Sequence, residues 1–199
     1  MQRTPQEAIV YFSDGLGTQK YGNQIAQRYG LALALLGSGQ ALNAKQAFAP
    51  LQEEATQNPM LATLEGKIKQ ANKSKDTIEF YSNATQNFPQ HHALSYDYAE
   101  LLLKDKRYDD ALKLLNEQIF NEDDDVRLYE LQARSYAALN KPQEEHHALA
   151  YTYVLRGNLH GAIDQLELAK KAGSDYYQLS TIESELKEFR EVEAAHAKQ

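Results

Sequence analysis

The sequence predicts an all-α solenoid of stacked helical hairpins, and three observations carry that prediction. A period of 34 runs through the middle of the chain: residues 93–102 superimpose on 127–136, placing Leu94 on Leu128, Ala99 on Ala133 and Leu102 on Tyr136. The register continues from Leu115 to Leu149, although Ala111 meets Glu145. Within each copy the small and large apolar residues recur at helical spacing, so close crossings alternate with filled gaps. The composition, 42% hydrophobic and 25% charged over 199 residues, is that of a folded chain with room for about five or six hairpins. One such hairpin cannot bury its apolar face alone, so neighbours must stack.

About ten to eleven helices are expected, as one domain over 1–199. An N-terminal helix lies in 4–22, where Pro5 suits a first turn, Ala8, Tyr11 and Phe12 share a face, and Gly15 and Gly17 end the helix. Repeat 1 spans 23–59, with Gly30 and Leu33 on its first helix and Ala47 and Leu51 on its second. Gly30 to Ala47 is 17 residues, which predicts a longer, looser turn over 37–42, and Pro59 closes the unit. Repeat 2, 60–89, is degenerate and irregular, with a polar first helix carrying Lys67, Lys69 and Gln70. Repeats 3 (90–123) and 4 (124–157) are the two regular copies, and acids at 123–125 are placed to cap the following helix. A partial repeat 5, 158–173, carries Ala162, Leu166 and Ala169. Glu145 to Ala162 is 17, half a repeat, so the helix over 142–155 must close one unit and open the next. A capping helix over 174–199 starts at Ser174-Asp175 and sets Leu179, Ile182, Leu186 and Phe189 against a charged back.

A 34-residue period with a small residue at the eighth place, a large one at the eleventh and Ala at the twentieth resembles the tetratricopeptide repeat (TPR). The resemblance implies a right-handed superhelix whose concave surface is lined by the second, fifth, ninth, twelfth and thirteenth residues of each first helix. Those places hold Tyr96, Glu100, Leu103 and Lys104 in repeat 3 and Arg127, Glu130, Arg134 and Ala137 in repeat 4. His147 and Tyr151 join them if the helix over 142–155 serves as a first helix. A mixed-charge groove with an aromatic floor suits an extended peptide or a protein loop. The bland alternative is that these are solvated helix faces.

Charge and motif content narrow the function classes. Net charge is −7 and Lys and Arg are dispersed among acids, which argues against nucleic acid or an anionic membrane as partner. The longest apolar run, residues 31–36, is far short of the roughly 20 residues of a membrane span, and the start does not read as a signal peptide. There is no Cys, hence no disulfide or thiolate chemistry. His91-His92 and His146-His147 are neighbours about 100° apart on a helix and share one ion poorly. No HExxH or GxSxG is present, Gly15, Gly17 and Gly22 lack phosphate-loop spacing, and the acids at 123–125 lack the rest of a calcium loop. The chain itself is not expected to be an enzyme or to hold a cofactor.

Two phrases are more specific. Glu7-Ala8-Ile9-Val10-Tyr11-Phe12, then Tyr21-Gly22-Asn23 and Arg28-Tyr29-Gly30-Leu31-Ala32-Leu33-Ala34-Leu35, resemble the region after the protease domain of the periplasmic BepA-type zinc metalloproteases. Leu155-Arg156-Gly157-Asn158-Leu159-His160-Gly161-Ala162-Ile163-Asp164-Gln165-Leu166 resembles that family's C-terminal repeats. The resemblance implies a periplasmic fragment of a longer zinc metallopeptidase, with zinc only in the missing catalytic domain. It implies a protein–protein interaction role that recruits the outer-membrane protein assembly machinery or its substrates. A free-standing TPR adaptor binding an extended peptide is the alternative.

Overall fold

The computed structural model describes residues 4–18, 23–121, 124–173 and 175–196, and among these every regular element is helical. They form two compact units, Met1–Asp97 and Tyr98–Gln199, each a stack of antiparallel hairpins.

In the first unit, α1 (Pro5–Thr18) packs on α2 (Gln24–Gly37), which packs on α3 (Ala41–Phe48). A 3₁₀ turn (Ala49–Leu51) joins α3 to α4 (Gln52–Ala55), so that 41–55 is one broken helix; α5 (Pro59–Ala71) and α6 (Thr77–Asn87) follow. Counted that way, the described residues hold eleven helices. Thr4 and Glu7 form a reciprocal capping box at the start of α1, with Thr4 N–H donating to Glu7 Oε2 at 2.8 Å. Gly15 and Gly17 do not end α1, which continues to Thr18 with Gly15 buried. Asn23 caps α2 and Asn58 caps α5, so Pro59 opens a helix at its first turn and does not close one. The core joins Ala32, Leu35, Ala44, Phe48 and Leu51 to Leu61, Leu64 and Ile68 of α5. Burying a side chain such as Phe48 contributes about 1.5–3 kcal/mol. α5 is therefore not a polar helix: Leu61, Leu64 and Ile68 are buried while Lys67 is exposed.

α7 (His92–Lys104) straddles the boundary between the units. The second unit continues with α8 (Tyr108–Asn121), α9 (Val126–Ala138), α10 (Pro142–Leu155), α11 (Leu159–Ala172) and α12 (Tyr176–His196). Asp125, Asn158 and Asp175 cap α9, α11 and α12 through their side chains. Ser174 and residues 122–123, also expected around these caps, lie outside the described residues, as do Tyr21 and Gly22. The expected stripe of α12 is present: Ile182 and Leu186 are buried and Leu179 and Phe189 half-buried.

One turn recurs five times and sets the register. Gly39, Lys73, Lys106, Asn140 and Gly157 are left-handed, with φ of +78°, +53°, +59°, +56° and +72°. Each is followed by a residue whose N–H donates to the carbonyl five residues back: Gln40 to Leu35, Ser74 to Lys69, Arg107 to Leu102, Lys141 to Tyr136, Asn158 to Tyr153. This is the Schellman closure of a helix C-terminus. Seven residues before each left-handed position stands a buried small residue: Ala32, Gly66, Ala99, Ala133, Ala150. Gly66 is required by contact, since a Cβ there would stand 2.6 Å from the fully buried Tyr81 ring. Repeat 1 is thus registered on Ala32, Leu35, Ala44 and Phe48, all buried, and Leu33 is 46% exposed. Its turn is as tight as the others, because Ala32 to Ala44 is 12, the same spacing as Ala99 to Ala111.

Candidate functional site

α10 settles the half-repeat conflict. It ends in the fifth of those turns, carries Ala150 at the eighth place, and pairs with α11 as Ala150 to Ala162, again 12 residues and both fully buried. It also packs on α9, so Gln143, Ala148, Ala150 and Thr152 are buried on more than one side. α10 is therefore the first helix of the following repeat, displaced by 150 − 133 = 17 residues from α9.

The consequence is a half-open pocket of about 310 Å³ lined by α9, α10 and α12. α10 turns Glu144, His147 and Tyr151 towards it, the second, fifth and ninth places of that helix. α12 lines it with Gln178, Thr181 and Ile182. Ser184 stands 34 residues after Ala150, which makes Gln178 and Thr181 the second and fifth places and Glu185 the ninth. α9 contributes its other flank: Tyr129, Gln132 and Tyr136.

Aromatic and ionic contacts fix the wall. The Tyr129 and Tyr151 rings stack with centroids 5.1 Å apart and planes 9° from parallel, and His147 meets Tyr151 edge-on at 5.4 Å. Glu185 holds both neighbours, accepting from the Tyr151 hydroxyl at 2.8 Å and lying 2.7 Å from His147 Nε2. Half-burial pushes the Glu185 carboxyl up, but the His147 bond and charge and the Tyr151 hydroxyl outweigh it and hold the group below the usual carboxylate range. Half-burial and the adjoining Glu185 carboxylate push the Tyr151 hydroxyl far up, so it stays a neutral donor. Half-burial and the Glu144 charge also raise Tyr136, against a hydrogen bond with Asn116. Gln143 lines the cavity at 7% exposure with no partner for Nε2. Its amide lies across Gly173, where a Cβ would stand 2.1 Å from Cδ.

Of the residues expected from sequence, His147 and Tyr151 meet in this wall. Arg127, Glu130 and Arg134 lie on the exposed or half-exposed flank of α9 and do not line the cavity. Arg127 pairs with Glu100 of α7 at 2.8 Å, and Glu130 pairs with Arg156 at the end of α10. Lys104 is exposed at the end of α7, where Leu103 is half-buried; Ala137 is exposed near the end of α9. Tyr96 belongs to the first unit, half-buried and edge-on to His92 at 6.0 Å. Sequence reasoning missed Tyr129, Tyr136, Gln143 and Glu185. Tyr129 was one residue from an expected position; Glu185 becomes visible only by counting 34 residues on from Tyr151. Among the described residues no three His, Asp or Glu side chains converge as a metal site would need, and no helix is long and apolar enough to cross a membrane.

The model of a family described as Tetratricopeptide repeat matches residues 69–135. Over 161 residues the chain is 30% identical to the Beta-barrel assembly-enhancing protease of Escherichia coli (strain K12), and equally to those of Shigella flexneri and Escherichia coli O157:H7. These alignments cover 79% of this chain and 33% of each relative, so the chain spans about a third of the length of the curated relatives it matches. A solved structure titled MamA RS-1 ArsTM double mutant superimposes with a TM-score of 0.55 at 16% identity, over 84% of this chain and 95% of that one, a likeness of fold.

Proposed function

We infer, from the premise that this chain is a tetratricopeptide-repeat solenoid of the BepA type, that it is the recruiting part of a protein-processing machine. TPR hairpins are non-catalytic scaffolds that engage protein partners, and the displaced α10 gives this one a half-open, tyrosine-walled cavity. That cavity is the observation that carries the reading. The finer reading is that the chain acts in the periplasm, bringing outer-membrane proteins or their assembly machinery to a zinc metallopeptidase domain. The likeness to the Beta-barrel assembly-enhancing protease supports it, as do the phrases at 7–12, 28–35 and 155–166. Zinc belongs to that catalytic domain under this reading.

The test is photo-cross-linking from Tyr151, replaced by a benzophenone amino acid, in cells producing the chain in the periplasm, with Tyr96 labelled in parallel. Cross-links to outer-membrane β-barrel proteins or their assembly components are expected. Cross-links to other proteins alone would overturn the finer reading, and a purified chain that binds no unfolded β-barrel protein would overturn the whole.

A further inference from the structure

The cavity has chemistry that names its occupant more closely. Its walls include Tyr rings, Ala148 and Ile182, and Glu144 is the carboxylate among its lining residues; Glu185 stands behind His147 and Tyr151, bonded to both. The side chains that line it include no Lys or Arg, so an acidic guest would be desolvated beside the Glu144 carboxylate without a Lys or Arg counter-charge. A ring fits: offset or edge-on packing on the stacked Tyr129–Tyr151 pair adds to the burial of its area, and the volume admits one side chain with a short length of backbone. The second observation is Gln143. A buried amide N–H with no acceptor is an expense of free energy in the empty site, and such donors pair when an acceptor arrives. The acceptor that every polypeptide carries beside a side chain is its own backbone carbonyl.

We propose that the α9–α10–α12 cavity is an anchor pocket for one aromatic side chain of an extended, non-acidic polypeptide segment, with Gln143 Nε2 donating to a backbone carbonyl of that segment. This rests on the protein-binding reading above and deepens it. It accounts for Gly173 as well: a side chain there would occupy the space the Gln143 amide now fills.

The probes are three capped nine-residue peptides of alternating Gly and Ser whose central residue is Phe, Ala or Asp, offered at millimolar concentration to the full chain and followed by amide chemical shifts. The Phe peptide is expected to shift the amides of Tyr129, Ala148 and Ile182 and to bind about tenfold more tightly than the Ala peptide, with the Asp peptide weakest. Thr181→Trp fills the mouth from an exposed position on α12 and should abolish binding with the unfolding midpoint unchanged. Gln143→Met keeps the shape and removes the donor, so it should weaken the Phe peptide roughly tenfold while the midpoint holds or rises, opposite signs that a merely structural role cannot produce. Equal affinity for the three peptides, no binding, or indifference to Thr181→Trp would overturn the pocket. If unfolded β-barrel protein still binds in that case, the protein-binding reading stands; if it does not, both fall.

Discussion

α9 and α10 are helices of 13 and 14 residues with the same small residue at the eighth place and the same left-handed turn at the end, yet they meet different surroundings. α9 keeps a polar flank, where Arg127 and Glu130 pair with residues of neighbouring helices. α10 is apolar on one side against α11 and lined with Gln143, Glu144, His147 and Tyr151 on the side of the cavity. A helix's place in this solenoid is therefore set by its crossing residue and its closing turn, not by how one-sided its apolar stripe is.

If the displaced repeat is energetically a repeat, its core must respond like the regular one. Leu115 and Leu166 are both fully buried at the twenty-fourth place, on α8 and α11. Leu115→Ala and Leu166→Ala should each lower unfolding free energy by about 2–5 kcal/mol in denaturant titration. A loss at Leu166 of well under half that at Leu115 would make α10–α11 an appendage and break the comparison. Next come the crossings. Ala99→Leu and Ala150→Leu each overpack a contact between helices and should cost about 1–3 kcal/mol. α10 has packed neighbours on both sides, so Ala150→Leu is expected to be the worse of the two.

The cavity wall gives a smaller, pH-dependent effect. Because the Glu185 carboxyl is held below its ordinary range in the fold, the unfolded chain takes up protons first as pH falls below about 4.3. The stabilisation is complete above that pH and is lost as pH falls through the lower folded value. Glu185→Gln should therefore lose about 1 kcal/mol at neutral pH and converge on the parent chain at acid pH, read from unfolding midpoints across a pH series. A difference that persists unchanged into acid would remove the ionic part of the account. The smallest effect is on the polar flank of α9. Arg127→Glu with Arg134→Glu should change stability by no more than about 0.5 kcal/mol, although the first puts like charge against Glu100. A larger change in thermal melting would place these side chains in the packing.

Much of this was legible without coordinates. Ala99, Ala133, Leu94 and Leu128 identify the period, Asp125 caps its helix, and the α12 stripe lies where its spacing puts it. Repeat 1 misleads because two overlapping sets of apolar residues run through 29–36, and Gly30 imitates a crossing residue. In the fold Gly30 is occupied by the Phe12 ring of α1, a contact that periodicity cannot reveal. The turns are also disguised, since Lys73, Lys106 and Asn140 hold left-handed positions for which glycine is the usual signal. Of the site, His147 and Tyr151 followed from counting once α10 was allowed to open a repeat. Tyr129 and Glu185 needed the tertiary pairing of residues that lie up to 38 apart in sequence.

The recurring turn also bears on how such a chain can change length. Removing residues 141–157 would join Asn140 directly to Asn158 and set Ala133 twelve residues before Ala162, with Ser184 thirty-four after Ala133. α9 and α11 would then pair within the uninterrupted period, as α7 and α8 do, and the tyrosine-walled cavity would be gone. The natural quantum of insertion in this architecture is thus a single helix with its turn, and a lone extra helix is enough to convert a plain scaffold into one with a pocket.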